Sequence, residues 1–297
     1  MSGMHMLGLE LLDNGALAVS IDESGRVVAR GQSAGDDLPA AALAALEKVW
    51  SAPAAPAVAA INPESRACVA AMNALRVRFH GSFLQELPVA SGTAAVAAEA
   101  WIGAASGATE VVFFAVGNHT SAGIFRQGAP MTGAHRRAPA VAWLALNPVE
   151  REDYRKIGCL EAEVAAPGIV RRLIWRVKAG DHSRVVDAAG GDFTAVSIEH
   201  VLAGARDGDG VAISVMRDTA KYLGMAAANL VAIADPDVLV LGGMMASAAD
   251  LLLEPVRAEI GRRLPDPIRQ ALKVVPASLG EDAPALGAAR LVSAAAA

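Results

Sequence analysis

Cysteine, histidine and long apolar segments are scarce in this 297-residue sequence. Its two cysteines, Cys68 and Cys159, are too few for a disulfide framework. The six histidines show no HxxxH or HExxH spacing, so the sequence predicts no local transition-metal site. No uncharged apolar stretch reaches the roughly 18 residues that a membrane-spanning helix needs, and we therefore expect no membrane segment.

Positive and negative charges are nearly balanced along the chain. There are 26 Lys and Arg against 31 Asp and Glu, a net charge of −5, and no long basic block is present. Proteins that bind nucleic acid by neutralising phosphates carry such blocks, so no nucleic-acid partner is expected. The opening residues MSGMHMLGLE lack the basic and apolar regions of a signal peptide, which favours a cytoplasmic location.

Apolar residues make up 54% of the sequence, enough to fill two hydrophobic cores. Alternating leucines and valines, separated by turns that contain glycine, predict a three-stranded meander over residues 6–30. Further along, short β-branched runs alternate with stretches rich in alanine and leucine, a pattern typical of α/β proteins. The remaining predicted strands cover 57–61, 76–79, 110–116, 122–126, 238–241 and 273–276, and the predicted helices cover 38–50, 64–75, 92–103, 256–264 and 283–297.

These elements form two successive α/β sets, which predict two lobes with a ligand cleft between them. We expect residues 1–105 to form the smaller N-terminal lobe and residues 106–282 to form the larger C-terminal lobe. The last helix, 283–297, is expected to return to the first lobe.

Three segments of the second half resemble one known family. They are GCLEAEVAAPGIVRR (158–172), IADPDVLVLGGMMASAADLLLEPVR (233–257) and VPASLGEDAPALGAARL (275–291). With these segments the chain resembles the ROK family of repressors, open reading frames and kinases, and its glucokinase-like members in particular. The resemblance implies a two-lobed actin-like, ribonuclease-H-like ATPase fold of the hexokinase type. It also implies transfer of the γ-phosphoryl group of ATP to a sugar hydroxyl, often by a dimer.

The family's catalytic base does not survive in the matching segment. An Asp in an NDANAAA-like stretch performs this role, and the corresponding residues here are ASGTAAVAAEAW, 90–101, with Ser91 at the position of the Asp. Phosphoryl transfer to an alcohol needs a group that takes the hydroxyl proton, and a serine hydroxyl is not basic at neutral pH. Because loss of a general base costs about 10²- to 10⁴-fold in rate, we predict that Ser91 is catalytically inactive.

The first phosphate-binding turn of the family is also altered. Leu12 and Asp13 replace both glycines of a DxGGT turn, while Glu10 keeps an acid at its start. Bulk and a carboxylate at this place oppose phosphate binding, which depends on close approach to backbone N–H groups. We therefore interpret this segment as an ordinary hairpin turn.

Candidate nucleotide-binding residues lie in two glycine-containing turns. The loop GNHTSAG matches a glycine-rich loop of the family, keeps its outer glycines and has polar residues inside, with a solvated turn as the alternative. The double glycine after the strand VLVL would let a nucleotide approach the backbone, with a tight strand-to-helix turn as the alternative. The candidates are Gly117, Asn118, Gly123, Gly242 and Gly243.

Among the sugar-binding residues that the resemblance implies, only Glu161 is retained. The family's Asn-Asp pair is replaced by Ala90 and Ser91. The Glu and His of its GEIGH-like segment are replaced by Ala140 and Trp143. Glu161 is thus the candidate sugar-binding residue, with a solvated helix start as the alternative. Trp143 is interpreted as a core residue, with stacking on a sugar as the alternative.

The resemblance further implies a structural zinc site built from a CxCGxxGC segment and a His. The corresponding residues are Glu152, Tyr154, Cys159 and Trp143. Structural zinc takes about four nitrogen or sulfur ligands, and only one thiolate remains here. We therefore predict that the protein binds no zinc.

Two functions remain open at this point. The first is a pseudokinase with the ROK fold, which acts by binding a sugar or nucleotide ligand or by contacting a partner. The alternative is an active ATP-dependent kinase of a sugar or related polyol that uses ATP and Mg²⁺ in a rearranged site. Transcriptional repression is disfavoured because no helix-turn-helix precedes the first strand. For either function we expect a cytoplasmic homodimer.

Overall fold

The structure of the protein is a computed structural model that describes residues 6–49, 55–80, 83 and 85–296. Side chains of residues 294–296 are not among those described. Two ends of predicted helices, Trp50 and Ala297, lie outside the described residues.

Strands and helices alternate along the described chain. The strands are β1 (Met6–Leu12), β2 (Gly15–Ile21), β3 (Val27–Ala34), β4 (Ala57–Ala60), β5 (Val89–Ala90), β6 (Glu110–Val116), β7 (Thr120–Arg126), β8 (Ala129–Pro130), β9 (Val238–Gly243) and β10 (Lys273–Pro276). The helices are α1 (Leu38–Glu47), α2 (Arg66–Phe79), α3 (Ser91–Trp101), α4 (Glu152–Ile157), α5 (Cys159–Val164), α6 (Ala166–Lys178), α7 (Arg184–Ala188), α8 (Ile198–Arg206), α9 (Gly210–Ala234), α10 (Met244–Ser247), α11 (Ala249–Arg263), α12 (Asp266–Ala271) and α13 (Ala283–Ala296). The predicted mixed α/β class is confirmed.

The strands form two sheets of five strands each. The first has the order β3-β2-β1-β4-β5, with β1, β2 and β3 antiparallel and with β4 and β5 added in parallel. The predicted meander is therefore confirmed. The second has the order β10-β9-β6-β7-β8, and its neighbours β9 and β10 are parallel.

The chain divides into two compact units. Unit 1 comprises residues 1–113, 122–139 and 277–297, and unit 2 comprises residues 114–121 and 140–276. In unit 1 the leucines of β1 pack with α1 and α2 in one apolar core. In unit 2 the long helix α9 packs against α11 and α6.

The prediction of a strand over 76–79 is wrong, because α2 continues to Phe79. Its first turn is capped by Ser65, whose hydroxyl accepts a hydrogen bond from the backbone N–H of Cys68 over 3.1 Å. Leu75 and Phe79 lie one helical turn apart, and both are buried in the core of unit 1. Burial of this helical face outweighs the β-propensity of the short RVRF stretch.

Helix α13 packs on α3 and on β1 within unit 1. The crossing with α3 is so close that a Cβ atom at Gly287 would lie 1.7 Å from the carbonyl oxygen of Ala94. Only glycine allows the two helix backbones to approach in this way. The structure therefore places Gly287 at a close helix crossing, which is a packing role.

Candidate functional site

In unit 1, β1 and α3 bring an acid and a hydroxyl together. Glu10 lies in the central strand of the first sheet, and Ser91 is the first residue of α3, directly after β5. The Ser91 hydroxyl donates a hydrogen bond to Oε1 of Glu10 over 2.6 Å, and both residues are buried. Ser91 therefore contacts the one acid that the first phosphate turn retains.

Burial gives Glu10 an unusual acidity. Desolvation raises its pKa most strongly, the hydrogen bond from Ser91 lowers it, and the negative charges of Glu281 and Asp282 raise it further, so that the pKa is about 7. The carboxyl group is consequently divided between its two protonation states near neutral pH. A group with such a pKa is suited to accept a proton during catalysis.

The altered phosphate turn of unit 1 is a hairpin, as predicted. Strands β1 and β2 pair as far as Leu12 and Gly15, which leaves Asp13 and Asn14 as the turn. Leu12 and Asp13 line a cavity of about 150 Å³ together with Ser65. This is smaller than the roughly 300–1,000 Å³ of typical small-molecule sites, and its carboxylate disfavours an anionic ligand.

The loop between β6 and β7 contains two of the candidate nucleotide-binding residues, Gly117 and Asn118, and a third candidate, Gly123, lies in the following strand. The N–H of Gly117 donates to the carbonyl of His119 over 2.9 Å, and Gly117 and Asn118 are exposed. Gly123 lies within β7, where a Cβ atom would come within 2.2 Å of the carbonyl oxygen of Gly92. Gly123 thus has a packing role, and nucleotide binding by this loop stays a prediction.

The double glycine lies at the end of β9. Gly242 is buried, and Gly243 has a φ of +59° that favours glycine. A Cβ atom on Gly243 would lie 2.2 Å from the carbonyl oxygen of Val116. Because α10 begins at the next residue, these facts agree with a tight strand-to-helix turn. Contact of either glycine with a nucleotide stays a prediction.

In unit 2, the retained acid Glu161 is held by the loop before β7 and by the start of that strand. Its Oε1 lies 2.9 Å from Nδ1 of His119. Its Oε2 accepts hydrogen bonds from the backbone N–H of Thr120 over 2.9 Å and from the Thr120 hydroxyl over 3.0 Å. Both carboxylate oxygens are therefore engaged, and Glu161 is not the solvated helix start of the alternative interpretation.

The partners of Glu161 determine its ionisation. Burial acts to raise its pKa, but the hydrogen bonds and charge of His119 and the hydrogen bonds from Thr120 outweigh burial, so the pKa lies below its ordinary value. Glu161 is consequently an anion at neutral pH. An oriented carboxylate of this kind can accept hydrogen bonds from the hydroxyls of a ligand.

The interpretation of Trp143 as a core residue is wrong. Val141–Trp143 form a short 3₁₀ helix that turns Val141 inward and leaves Trp143 56% exposed. An apolar run of this length cannot place every side chain on the same face. The alternative, stacking of Trp143 on a sugar, stays a prediction.

The residues at the family's zinc positions do not fit zinc. Glu152 is exposed and pairs with Lys156 over 2.7 Å, while Tyr154 and Cys159 are buried. One thiol beside one phenol does not provide the tetrahedral set of nitrogen and sulfur ligands that structural zinc takes. Among all described residues, no group of three or more His, Cys, Asp or Glu side chains is placed to hold a metal ion.

A buried acid of unit 2, Glu163, was not singled out from the sequence. Its Oε1 accepts hydrogen bonds from the Tyr154 hydroxyl and, over 3.2 Å, from Arg151. The Asn147 amide donates to the hydroxyls of Tyr154 and Tyr222 over 3.1 and 3.4 Å. These residues, which we call the Glu163 cluster, share one member, Tyr154, with the positions at which the resemblance implied zinc ligands. No sequence pattern marks Glu163, which follows Glu161 by two residues. Its importance is evident only from its burial in the structure.

Comparison with known proteins gives the family of the chain. A family model described as ROK family matches residues 86–295, more than two thirds of the sequence. The chain belongs to the ROK family. It is 29% identical to a glucokinase of Halalkalibacterium halodurans over 199 residues, 65% of this chain and 59% of the relative. It is 27% identical to the N-acetylglucosamine repressor of Escherichia coli O157:H7 over 196 residues, 66% of this chain and 47% of that protein.

The match to these curated ROK proteins thus spans about half to three fifths of their length. Solved ROK structures are similar over nearly the whole chain. A glucokinase from Streptomyces griseus, in complex with glucose and AMPPNP, has a TM-score of 0.80 at 22% identity, covering 97% of this chain and 99% of its own. A hexokinase from Thermus thermophilus has a TM-score of 0.70 at 23% identity, with coverages of 97% and 98%. The predicted actin-like ATPase fold is confirmed.

No helix in the described part of this ROK protein combines the length and apolar character needed to cross a membrane. This holds for α9 as well, although it has 25 residues.

Proposed function

We propose that this ROK protein is a pseudokinase, which binds a sugar-like or nucleotide ligand or a partner without transferring a phosphoryl group. The observation that carries the proposal is Ser91 at the position of the family's base, with its hydroxyl directed to Glu10. The altered turn at Leu12 and Asp13 supports it, because that turn offers no anion cradle.

Ligand binding is supported by Glu161. His119 and Thr120 hold this carboxylate ionised and oriented. Ligand binding by other ROK proteins gives further support: a ROK family protein of Streptococcus pneumoniae was solved with sucrose, and the Streptomyces griseus glucokinase with glucose and AMPPNP. We place the protein in the cytoplasm as a homodimer. Its two cysteines are free and buried, as a reducing compartment allows.

The proposal is tested by incubating the protein with ATP, Mg²⁺ and a panel of hexoses and amino sugars while ADP release is recorded. We expect no ADP above the protein-free control. In parallel, a thermal-shift panel should find a stabilising ligand, since a ligand at about 100 times its Kd stabilises by about 2.7 kcal/mol. Turnover of any sugar by the unmodified protein would contradict the proposal.

Restoring the lost groups provides a gain-of-function control. The triple variant Ser91→Asp, Leu12→Gly, Asp13→Gly returns an acid at the base position and glycines in the phosphate turn. We expect nucleotide affinity or ADP release to rise in the triple variant. The double variant without Ser91→Asp should gain nucleotide affinity alone, because it still lacks the base.

One observation favours the alternative, an active ATP-dependent kinase of a sugar or polyol. The pKa of Glu10 is near 7 and its carboxyl contacts Ser91. In this mechanism the acceptor hydroxyl gives its proton to the Ser91 oxygen while the Ser91 proton passes to Glu10. The acceptor oxygen forms a bond to the γ-phosphorus, and the bond from that phosphorus to the β–γ bridging oxygen breaks to release ADP.

The alternative makes its own prediction. Activity should rise with pH as Glu10 ionises, and both Glu10→Gln and Ser91→Ala should lower kcat by about 10²-fold or more. The variant Ser24→Ala removes a hydroxyl with a similar 2.6 Å bond to an acid, Asp22, at the surface, and is a suitable control. Activity that is insensitive to Glu10→Gln would exclude the relay.

A further inference from the structure

Unit 2 contains a cavity that is separate from Glu161. It has a volume of about 500 Å³, within the range of roughly 300–1,000 Å³ that small-molecule sites occupy. Its walls come from α5, α6, α9 and the segment before α4. The lining side chains are those of Leu146, Asn147, Pro148, Glu163, Arg172, Asp218, Lys221, Tyr222 and Met225.

The cavity lies on a different face of α5 from Glu161. Residues two positions apart on a helix point in nearly opposite directions. Glu161 contacts His119 and Thr120, whereas Glu163 belongs to the Glu163 cluster and lines the cavity. A ligand in this cavity would therefore not occupy the position that the family resemblance assigns to the sugar.

Several polar groups on the wall have unused hydrogen-bonding capacity within the described part of the chain. Oε2 of Glu163 accepts no hydrogen bond there, and Nε of Arg172 lies 3.8 Å from it, too far for one. Asp218 uses one oxygen to accept from Lys221 over 3.0 Å. The Tyr222 hydroxyl accepts from Asn147, and its own proton has no acceptor among these residues. Partly satisfied polar groups around a cavity indicate a ligand or ordered water.

The charge of the wall selects the class of ligand. The lining has two acids, Glu163 and Asp218, and two bases, Arg172 and Lys221. Lys221 pairs with Asp218. Arg172 faces Glu163 over 3.8 Å, and Arg151, from outside the lining, also pairs with Glu163. Because each base of the lining faces an acid, the wall offers no separate cation to a phosphate. Glu163 and Asp218 can each still accept a hydrogen bond, and the Tyr222 hydroxyl can still donate one. Groups that both donate and accept, as hydroxyls do, match this combination.

We propose that this cavity binds a neutral polyhydroxyl ligand, a monosaccharide or cyclitol, as a second site beyond Glu161. Ligand hydroxyls donate to Glu163 and Asp218 and accept from Tyr222. The apolar side chains of Leu146, Pro148 and Met225 contact the C–H groups of the ring. The proposal does not depend on whether the protein transfers phosphoryl groups.

The test is isothermal titration of the full chain carrying Glu161→Gln, which removes the first site from the measurement. The probes are glucose, N-acetylglucosamine and myo-inositol at millimolar concentration, with inorganic phosphate and glycine as charged controls. We expect one neutral probe to bind with a stoichiometry of one. Adding Asp218→Asn should raise its Kd about tenfold, because a hydrogen bond to a charged acceptor is weakened.

Asp266→Asn is the matched control. Asp266 also pairs with a base three residues later, Arg269, and is exposed like Asp218. It lies outside the cavity, so this variant should leave Kd unchanged. If Asp218→Asn fails to fold, Tyr222→Phe should weaken binding in its place. Absence of binding by every neutral probe, or stronger binding of phosphate or glycine, would overturn the proposal. Loss of sugar binding in Glu161→Gln alone would place the ligand at the first site.

Discussion

Glu10 in unit 1 and Glu161 in unit 2 are both shielded from water, yet their pKa values shift in opposite directions. Glu10 accepts one side-chain hydrogen bond, from Ser91, and has two acids nearby, so its pKa rises to about 7. Glu161 has His119 on one oxygen and two hydrogen bonds from Thr120 on the other, so its pKa falls. The difference shows that hydrogen-bond partners, and not burial alone, decide whether a buried acid is a proton acceptor or a permanent anion.

The largest expected effect is the pH dependence that Glu10 gives to stability. Between its ordinary pKa of 4.5 and its folded pKa of about 7, the folded chain holds a proton that the unfolded chain releases. Stability from this group is therefore complete below pH 4.5 and is lost as the pH rises through 7. Its size is about 3 kcal/mol. Urea unfolding at about pH 5 and about pH 8 measures most of this loss.

The variant Glu10→Gln checks this assignment, because glutamine does not titrate. In the unmodified protein the unfolding free energy should fall between the two pH values. In the variant this fall should be smaller by the amount that Glu10 contributes. An identical loss in both proteins would show that Glu10 has an ordinary pKa, and the contrast with Glu161 would then disappear.

A smaller effect is expected from Thr120→Val, which removes one donor to Glu161 and keeps the side-chain shape. We expect a loss of about 1–2 kcal/mol at neutral pH, since the acceptor is charged and mostly buried. The pKa of Glu161 should rise in the variant. On acidification, the stability that the ionised Glu161 contributes should therefore be lost at a higher pH than in the unmodified protein. Chemical denaturation and carbon NMR of the carboxyl group measure the two quantities.

Thr194→Val is the control for this experiment. The Thr194 hydroxyl also donates to an acid, Asp192, over 2.8 Å, but that pair is exposed. Its removal should change stability far less than Thr120→Val. Equal losses would mean that burial adds nothing to the bonds around Glu161.

Ser91→Ala should have a somewhat smaller effect, about 1 kcal/mol at neutral pH, because only part of the Glu10 population is ionised there. Removing the Ser91 hydroxyl removes the hydrogen bond that lowers the pKa of Glu10, so this pKa should rise above its value in the unmodified protein. A titration followed by carbon NMR measures the change. A fall in the pKa would contradict the described geometry.

The smallest effect is expected from metal chelation. Because the residues at the zinc positions do not fit zinc, and one of them, Tyr154, instead donates a hydrogen bond to Glu163, EDTA should leave the melting temperature unchanged. Tyr154→Phe should lower it, since Glu163 would lose the Tyr154 hydroxyl. A drop in melting temperature with EDTA, reversed by added zinc, would show that the metal site was misjudged.

Much of the fold was predictable from local patterns. Turns at Asp13 and Asn14 predicted the first hairpin, and the segments around Glu161 and the double glycine led to the family. Local patterns failed where tertiary burial decides, as at Phe79, which continues a helix, and at Trp143, which points outward.

The candidate site was predictable only in part. Glu161 was identified through the family resemblance, but its partner His119 is 42 residues away in sequence. The contact of Ser91 with Glu10 joins residues 81 positions apart. The Glu163 cluster reaches as far as Tyr222 on α9. Spacing along a chain does not encode such contacts, and they also determine the acidity of each carboxyl group.

The crossing of α13 and α3 at Gly287 has a consequence for biosynthesis. Strands β1 to β4 of unit 1 precede unit 2 in the sequence, yet α13, which packs on β1, is translated after the whole of unit 2. On the ribosome, the surface of β1 that α13 covers therefore stays exposed until residues 140–276 of unit 2 have been synthesised. Chaperone engagement during this interval should be stronger for nascent chains halted before residue 283 than for those in which α13 has left the exit tunnel.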